Sequence, residues 1–294
     1  MNKNLFFETA NALKCMPVSN IIGGQDGVIH NGKIFRFDHK GRCYVYSADD
    51  FKLITEFDLD KLDYIIPHSN SVCLGSEYFS EKDTMPALYT NVYNNYSGDE
   101  NKHKGECCVY RITDTEKGFA SELLQIIKIG FTDDFIWRSE NAEDVRPYGN
   151  FIVDNKNDFL YAMTMRDKEH ITRVFKFKLP KLTDGVKSEF FDGNIVALNK
   201  QDIISSFDIE YTSYMQGATF YNGYIYSAEG FTDSRENIPA LKVIDVEKQK
   251  CVFDFKLPKI SLNVEPEFLD VYNEKLFYAD YKGKFFKVEF EKQY

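Results

Sequence analysis

Two stretches decide the fold: Asp26-Gly27-Val28-Ile29-His30-Asn31-Gly32-Lys33-Ile34-Phe35-Arg36-Phe37 and Gly217-Ala218-Thr219-Phe220-Tyr221-Asn222-Gly223-Tyr224-Ile225-Tyr226-Ser227-Ala228. Each places Asn-Gly between two short apolar runs. That pair tolerates the positive φ of a two-residue primed turn, so each stretch predicts a β-hairpin. The same grammar continues outward. After the first hairpin come a turn at His39-Lys40-Gly41, a strand at Cys43-Tyr44-Val45-Tyr46, a turn at Ala48-Asp49-Asp50 and a strand at Leu53-Ile54-Thr55-Glu56-Phe57. After the second come Leu241-Lys242-Val243-Ile244-Asp245, a turn at Glu247-Lys248-Gln249-Lys250, and Cys251-Val252-Phe253-Asp254-Phe255.

Self-similarity of this kind marks a repeat architecture. Looser copies begin at Ser69-Asn70-Ser71-Val72-Cys73, at Asn150-Phe151-Ile152-Val153 and at Glu267-Phe268-Leu269-Asp270-Val271. The expected fold is therefore all-β: one β-propeller domain over residues 1–294, with five blades of four antiparallel strands. The last copy is one strand short, because the chain stops after Phe285-Phe286-Lys287-Val288-Glu289-Phe290. The stretch Asn4-Leu5-Phe6-Phe7-Glu8-Thr9 precedes the first copy without a partner and is expected to supply the missing outer strand, closing the ring and removing exposed edges. A sixth blade would have to hide in the insertion at residues 180–200, which holds too few strands. The best helix candidate is Lys117 to Gln125, a short run of ambiguous period.

Composition agrees. The 294 residues include 26 Phe and 19 Tyr against one Trp, residues that suit half-buried pleated surfaces. Net charge is −10, and acidic and basic residues are interleaved, so no basic footprint for nucleic acid exists. No run approaches the ~20 apolar residues of a membrane span, and the first residues lack the apolar core of a signal peptide. A cytoplasmic location without membrane contact is the expectation. Six cysteines lack CxxC or zinc spacing and read as reduced core thiols. No metal and no cofactor is assigned: Gly23-Gly24-Gln25-Asp26-Gly27 lacks the Lys-Ser/Thr of a phosphate loop.

In a propeller the first strand of each blade lines the channel, and the residues at its start converge on one mouth. The starts supply Gln25 and Asp26; His68, Ser69 and Asn70; Arg146, Pro147 and Tyr148; Gln216; and Glu265 with Glu267. This mixed ring is a candidate site for a small polar ligand. Arg146 can grip a carboxylate or phosphate bidentately, the carboxylates can act as bases, and His68 can transfer protons. Catalytic candidates are Glu229, Glu267, Arg146 and His68. As a set, Gln25, Asp26, His68, Asn70, Arg146, Tyr148, Gln216, Glu265 and Glu267 are the candidate ligand contacts.

Met215-Gln216-Gly217, then Tyr224-Ile225-Tyr226-Ser227-Ala228-Glu229-Gly230, then Leu241-Lys242-Val243-Ile244-Asp245 resembles the glutamine cyclotransferase family of five-bladed propellers. That resemblance covers about forty residues and implies five blades. Where the family places a Glu directly after the aromatic, this chain has Ser227, and Glu229 follows two residues later. Two positions along a strand keep the face but shift the group by about 7 Å. The family's Trp-containing Glu-Gly motif has no counterpart around Trp137.

Three functional classes stay open. A noncatalytic propeller would bind a protein partner or glycan on one face, with Tyr93, Tyr96 and the segment from Phe131 to Trp137 as aromatic contacts. An enzyme (cyclotransferase, hydrolase or lyase) would work on a small polar substrate at the mouth. A structural or adhesion component would belong to a larger assembly such as a phage particle.

Overall fold

A computed structural model describes residues 5–93, 103–129, 149–166, 169–212, 214–231 and 237–292. Its strands fall into five sheets. After β1 (Ala12–Asn20), blade 1 is β2 (Gly27–His30), β3 (Lys33–Phe37), β4 (Arg42–Ser47) and β5 (Leu53–Asp58). Blade 2 contains β6 (Val72–Leu74), β7 (Leu88–Val92), β8 (Glu106–Thr115) and β9 (Gly118–Ile129). Blade 3 is built on β10 (Asn150–Asp154), β11 (Phe159–Arg166) and β12 (Ile171–Lys178). Then β13 (Val186–Lys187) and β14 (Asn194–Leu198) intervene before β15 (Ile203–Glu210) completes it. Blade 4 is β16 (Met215–Tyr221), β17 (Tyr224–Glu229), β18 (Ala240–Asp245) and β19 (Lys250–Lys256). Blade 5 is β20 (Pro266–Tyr272), β21 (Lys275–Asp280) and β22 (Lys284–Glu291), with β1 as its fourth strand.

The hairpin signals act as the residues dictate. Asn31 and Gly32 sit at φ 47° and 71°, and Asn222 and Gly223 at 49° and 84°, the paired positive φ of a primed turn. Their registers, Val28 opposite Phe35 and Phe220 opposite Ile225, follow from those turns.

Between blades, apolar faces meet as sheets stacked around an axis. Val28, Phe35 and Val45 pack on Val72, Leu88 and Tyr110; Tyr89, Val109 and Ile127 on Phe151, Leu160 and Phe177. Ile152, Tyr161 and Val174 meet Ala218, Ile225 and Ile244, while Tyr226, Leu241 and Val243 meet Leu269, Leu276 and Tyr278. Finally Phe268, Ala279 and Phe285 pack on Ile29, Ile34 and Tyr46. The last contact joins the end of the chain to its beginning, so the ring is closed and has five blades.

The closing strand differs from expectation. It is Ala12–Asn20, paired from Ala12 opposite Glu291 to Asn20 opposite Lys284, and not the stretch from Asn4 to Thr9. The run that feeds directly into blade 1 is in reach of β22, and Pro17 is accommodated at this sheet edge beside a bulge. The earlier aromatics have another task. Phe6 is 1% exposed and lies edge-on to Tyr224, Phe253 and Phe290, with ring centroids 5.6, 5.8 and 5.4 Å away, in the seam between blades 4 and 5.

Two further outcomes concern blade 2. The helix candidate Lys117 to Gln125 is strand instead: Lys117 ends the turn after β8 and the rest, from Gly118, lies in β9. This strand pairs with β8, and beyond it the insertion extends the sheet: β14 pairs in parallel with the end of β9, Asn194 opposite Gln125 to Leu198 opposite Ile129, and β13 pairs with β14. The insertion therefore thickens blade 2 into a six-stranded sheet and adds no blade. All six cysteines are free, and burial pushes the thiols of Cys15 and Cys251 up to about 12 and about 11. Among the described residues no helix is long and apolar enough to cross a membrane.

Candidate functional site

At one mouth of the channel lies a cavity of about 320 Å³ lined by Gln25, His39, His68, Asn70, Tyr93, Tyr214, Met215, Gln216, Phe231, Glu265, Glu267 and Tyr281. Six of the residues expected at the starts of inner strands therefore share one cavity: Gln25, His68, Asn70, Gln216, Glu265 and Glu267. They come from four blades. Arg146 and Tyr148 lie outside the described residues, as do Tyr96 and the segment from Phe131 to Trp137.

A web of amides sets the orientation of the polar groups. Gln25 Nε2 donates to Glu267 Oε1 at 3.3 Å, and Gln216 Nε2 to Glu265 Oε1 at 2.7 Å. Asn70 Nδ2 donates to the Met215 carbonyl at 3.1 Å and to Gln216 Oε1 at 3.4 Å. Each amide nitrogen thus faces an oxygen acceptor, which fixes where the other end of the amide points. Gln25 Oε1, Asn70 Oδ1 and Glu267 Oε2 are buried and have no hydrogen-bond partner. The two amide oxygens are acceptors, and the Glu267 oxygen accepts when the carboxyl is ionised and can donate when it is protonated. Their side chains belong to residues 7%, 5% and 1% exposed.

The titratable groups are shifted toward neutrality. Burial, opposed only by the Gln216 amide, raises Glu265 to about 7. Glu267 is raised too, by burial and then by the charge of Glu265, with Arg36 and the Gln25 amide pulling the other way. His68 falls to about 4, through burial and then the neighbouring His39, and is neutral at physiological pH. Their ring centroids are 6.3 Å apart. Among the described lining residues there is no Lys or Arg. Nor do the described residues hold a group of three or more His, Cys, Asp or Glu side chains arranged for a metal ion.

Two carboxylates expected in play are occupied elsewhere. Asp26 is fully buried below the cavity, where Oδ2 accepts from the amides of Val72 at 2.9 Å and Ala218 at 3.4 Å, and Oδ1 from that of Leu269 at 3.1 Å. Blades 2, 4 and 5 are thereby pinned to the segment leading into blade 1. Glu229 stays out of the cavity, in a buried ion pair with Lys242 Nζ at 3.0 Å and a second contact with Lys256 Nζ at 3.3 Å.

The starts of inner strands are only half of the mouth. His39, Tyr93, Phe231 and Tyr281 each come one or two residues after the second strand of a blade, after β3, β7, β17 and β21. In an antiparallel hairpin the end of the second strand lies beside the start of the first. The signal was present as position: a side chain just past each second strand belongs to the same rim. Tyr214, Phe231 and Tyr281 are 42%, 48% and 54% exposed there.

At the other end of the channel, Asp270 lines a cavity of about 280 Å³ together with Thr219, Tyr221, Lys156 and the thiol of Cys73. Its carboxylate accepts from the amides of Ile29 at 2.6 Å and Val271 at 2.8 Å and from Thr219 Oγ1 at 3.2 Å. Burial nevertheless raises it to about 7.

No protein-family model and no curated protein matches the sequence. Among solved structures the chain is similar to the glutaminyl cyclase of Myxococcus xanthus, at 12% identity and a TM-score of 0.50, over 95% of this chain and 94% of that one. BamB from Moraxella catarrhalis is 10% identical with a TM-score of 0.33, over 92% of this chain and 59% of that one. Sqt1 from Saccharomyces cerevisiae is also 10% identical, at 0.36, over 89% and 55%. The first likeness extends to the whole propeller and concerns its fold.

Proposed function

We propose that the protein is an enzyme that binds the ammonium group of a small polar substrate at the channel mouth and carries out proton transfer there with Glu265. One observation carries the reading: three buried oxygens without a hydrogen-bond partner, Gln25 Oε1, Asn70 Oδ1 and Glu267 Oε2, line one cavity, two of them amide acceptors and the third a carboxyl whose ionised form a bound cation would favour. A buried acceptor left unsatisfied costs about 1–3 kcal/mol, and an ammonium brings three donors and no acceptor. The aromatic side chains of Tyr93, Tyr214, Phe231 and Tyr281 in the lining suit a cation further. Glu265, at about 7, is matched to accepting or donating a proton near neutral pH. A cavity of this size has room for one small molecule or the end of a longer one. The whole-chain likeness to a glutaminyl cyclase fits an enzymatic role for this fold.

The test pairs free-amine dipeptides with their N-acetylated counterparts. Calorimetric titration should show binding of the free amines only, weakened tenfold or more by Glu267→Gln, and mass spectrometry should detect a product that Glu265→Gln abolishes. Equal binding of acetylated and free peptides would remove the ammonium reading.

A second reading, noncatalytic capture of a glycan or protein partner, draws on the exposed rings of Tyr214, Phe231 and Tyr281 around the rim. Such aromatics are frequent anchors of recognition surfaces. Retention of neutral glycans on an array, lost in Phe231→Ala and Tyr281→Ala, with no turnover of any amine, would favour it.

A further inference from the structure

One side of the mouth is aromatic, and a buried ion pair stands behind it. Tyr214 and Phe231 line the cavity with ring centroids 5.8 Å apart, and the amide of Gly230 donates to the Tyr214 carbonyl at 2.9 Å. Both rings are largely exposed, so their placement depends on the backbone that carries them. Tyr214 sits on the segment between β15 and β16, and Phe231 just past the end of β17. Gly230, at φ 94°, turns the chain from β17 onto the rim, and its carbonyl accepts from Gln216 Nε2 at 3.4 Å. The same amide nitrogen holds Glu265, so the aromatic wall and the amide web meet at this turn.

Lys242, in β18, is 2% exposed, and taking an ammonium out of water is costly unless oxygens surround it. Three do. Its Nζ lies 3.0 Å from Glu229 Oε2 and donates to the Tyr211 carbonyl and to Thr212 Oγ1, both at 3.4 Å. These oxygens belong to the two segments that carry the rings: Glu229 comes just before Gly230 and Phe231, and Tyr211 and Thr212 come just before Tyr214. Thr212 is tied in turn to blade 3, its amide donating to Thr172 Oγ1 at 2.8 Å. A buried ion pair is weak evidence for stability, since apolar residues of like volume often replace it without loss. Apolar side chains lack directed donors, however, and could not join two segments of backbone in this way.

We propose that Lys242 is a positioning residue of the mouth. Its ammonium, shared among Glu229, the Tyr211 carbonyl and the Thr212 hydroxyl, clasps the segments that present Phe231 and Tyr214, and so sets the aromatic wall on which the apolar part of an amine ligand rests. The consequence in binding rests on the ammonium reading, whereas the clasp is a property of the empty protein. Glu229, singled out in the sequence as a catalytic candidate, thereby serves the site from behind its wall.

The clasp is measurable without any ligand. In full-length protein labelled with fluorotyrosine and assigned with Tyr214→Phe, the ¹⁹F resonance of Tyr214 reports its contact with Phe231, and Phe231→Leu marks where the signal goes when that ring is lost. Lys242→Met should move the resonance at least half of the way to this mark. Lys256 Nζ, 3.3 Å from Glu229 Oε1, still answers the carboxylate in that variant. An unmoved resonance overturns the proposal. Should Lys242→Met fail to fold, the double variant Glu229→Met with Lys242→Met, which leaves neither charge of the pair alone, decides in the same way. Calorimetry gives a second readout: Lys242→Met should weaken binding of free-amine dipeptides with an aromatic second residue about fivefold or more, but less than about twofold once Phe231→Ala has removed the wall. Equal losses in both backgrounds would show that Lys242 acts on the fold at large and would overturn its positioning role. Amine binding with an unmoved resonance would remove Lys242 alone and leave the mouth reading standing. A moved resonance in a protein that binds no free amine would keep the clasp and remove the ammonium reading.

Discussion

Glu265→Gln should flatten the fall in stability as pH rises toward and through about 7, and the size of the effect follows from where the residue sits. Burial lifts its carboxyl from an ordinary value of 4.5 to about 7. Between those values the folded protein keeps a proton that the unfolded chain has released. Its contribution is therefore fully present below pH 4.5 and is lost as pH rises through about 7. Integrated from about pH 6 to about pH 8, that loss is about 1.3 kcal/mol, and the partial exposure of the side chain brings it closer to about 1 kcal/mol. The substitution removes the titration but keeps an acceptor for Gln216 Nε2, so packing and the amide web are retained. Asp270, also at about 7, titrates in both proteins and cancels in the comparison. For a chain of this size the difference corresponds to about 2 °C in Tm. Urea unfolding at closely spaced pH values is the sharper assay: wild type should lose about 1 kcal/mol more than the variant between pH 6 and pH 8. Parallel curves would show that Glu265 ionises as it does in water, and the proton-transfer role assigned to it would fall with that result.

Two predictions concern the frame that holds the mouth. Asp26→Asn replaces one acceptor oxygen by a donor opposite the amides of Val72, Ala218 and Leu269, and should cost about 2–4 kcal/mol in urea unfolding. A change under about 0.5 kcal/mol would mean that the carboxylate does not pin the blades. Phe6→Ala empties the aromatic seam between blades 4 and 5 and should destabilise by about 3–5 kcal/mol, lowering Tm by several degrees; wild-type melting would show that the N-terminal segment matters only through β1.

The hairpins were legible because their cause is local. Asn31-Gly32 and Asn222-Gly223 adopt positive φ wherever the chain goes, and alternation on either side follows from that register. The blade count and the convergence of Gln25, His68, Asn70, Gln216, Glu265 and Glu267 follow from repeating one hairpin grammar around an axis. Other features have no local cause. Asn4 to Thr9 and Ala12 to Asn20 are both plausible closing strands by composition, and only the reach from blade 1 to β22 chooses the second. Lys117 to Gln125 has no decisive local period, and its strand state is set by pairing with β8 and, from Gln125 on, with β14, which begins only at Asn194.

The same holds at the mouth. Asp26 and Glu267 are both acids beside an inner strand, and nothing in their neighbours distinguishes them. Asp26 meets amides from three other blades and becomes part of the frame, whereas Glu267, 242 residues from its partner Gln25, keeps an oxygen open to the cavity. By itself the sequence determined that five four-stranded units would form and which strand starts would gather at one end, since turn chemistry and period are short-range properties. Tertiary structure alone decided which of the gathered carboxyls keeps an oxygen without a partner, because that depends on groups that only the closing of the ring brings together.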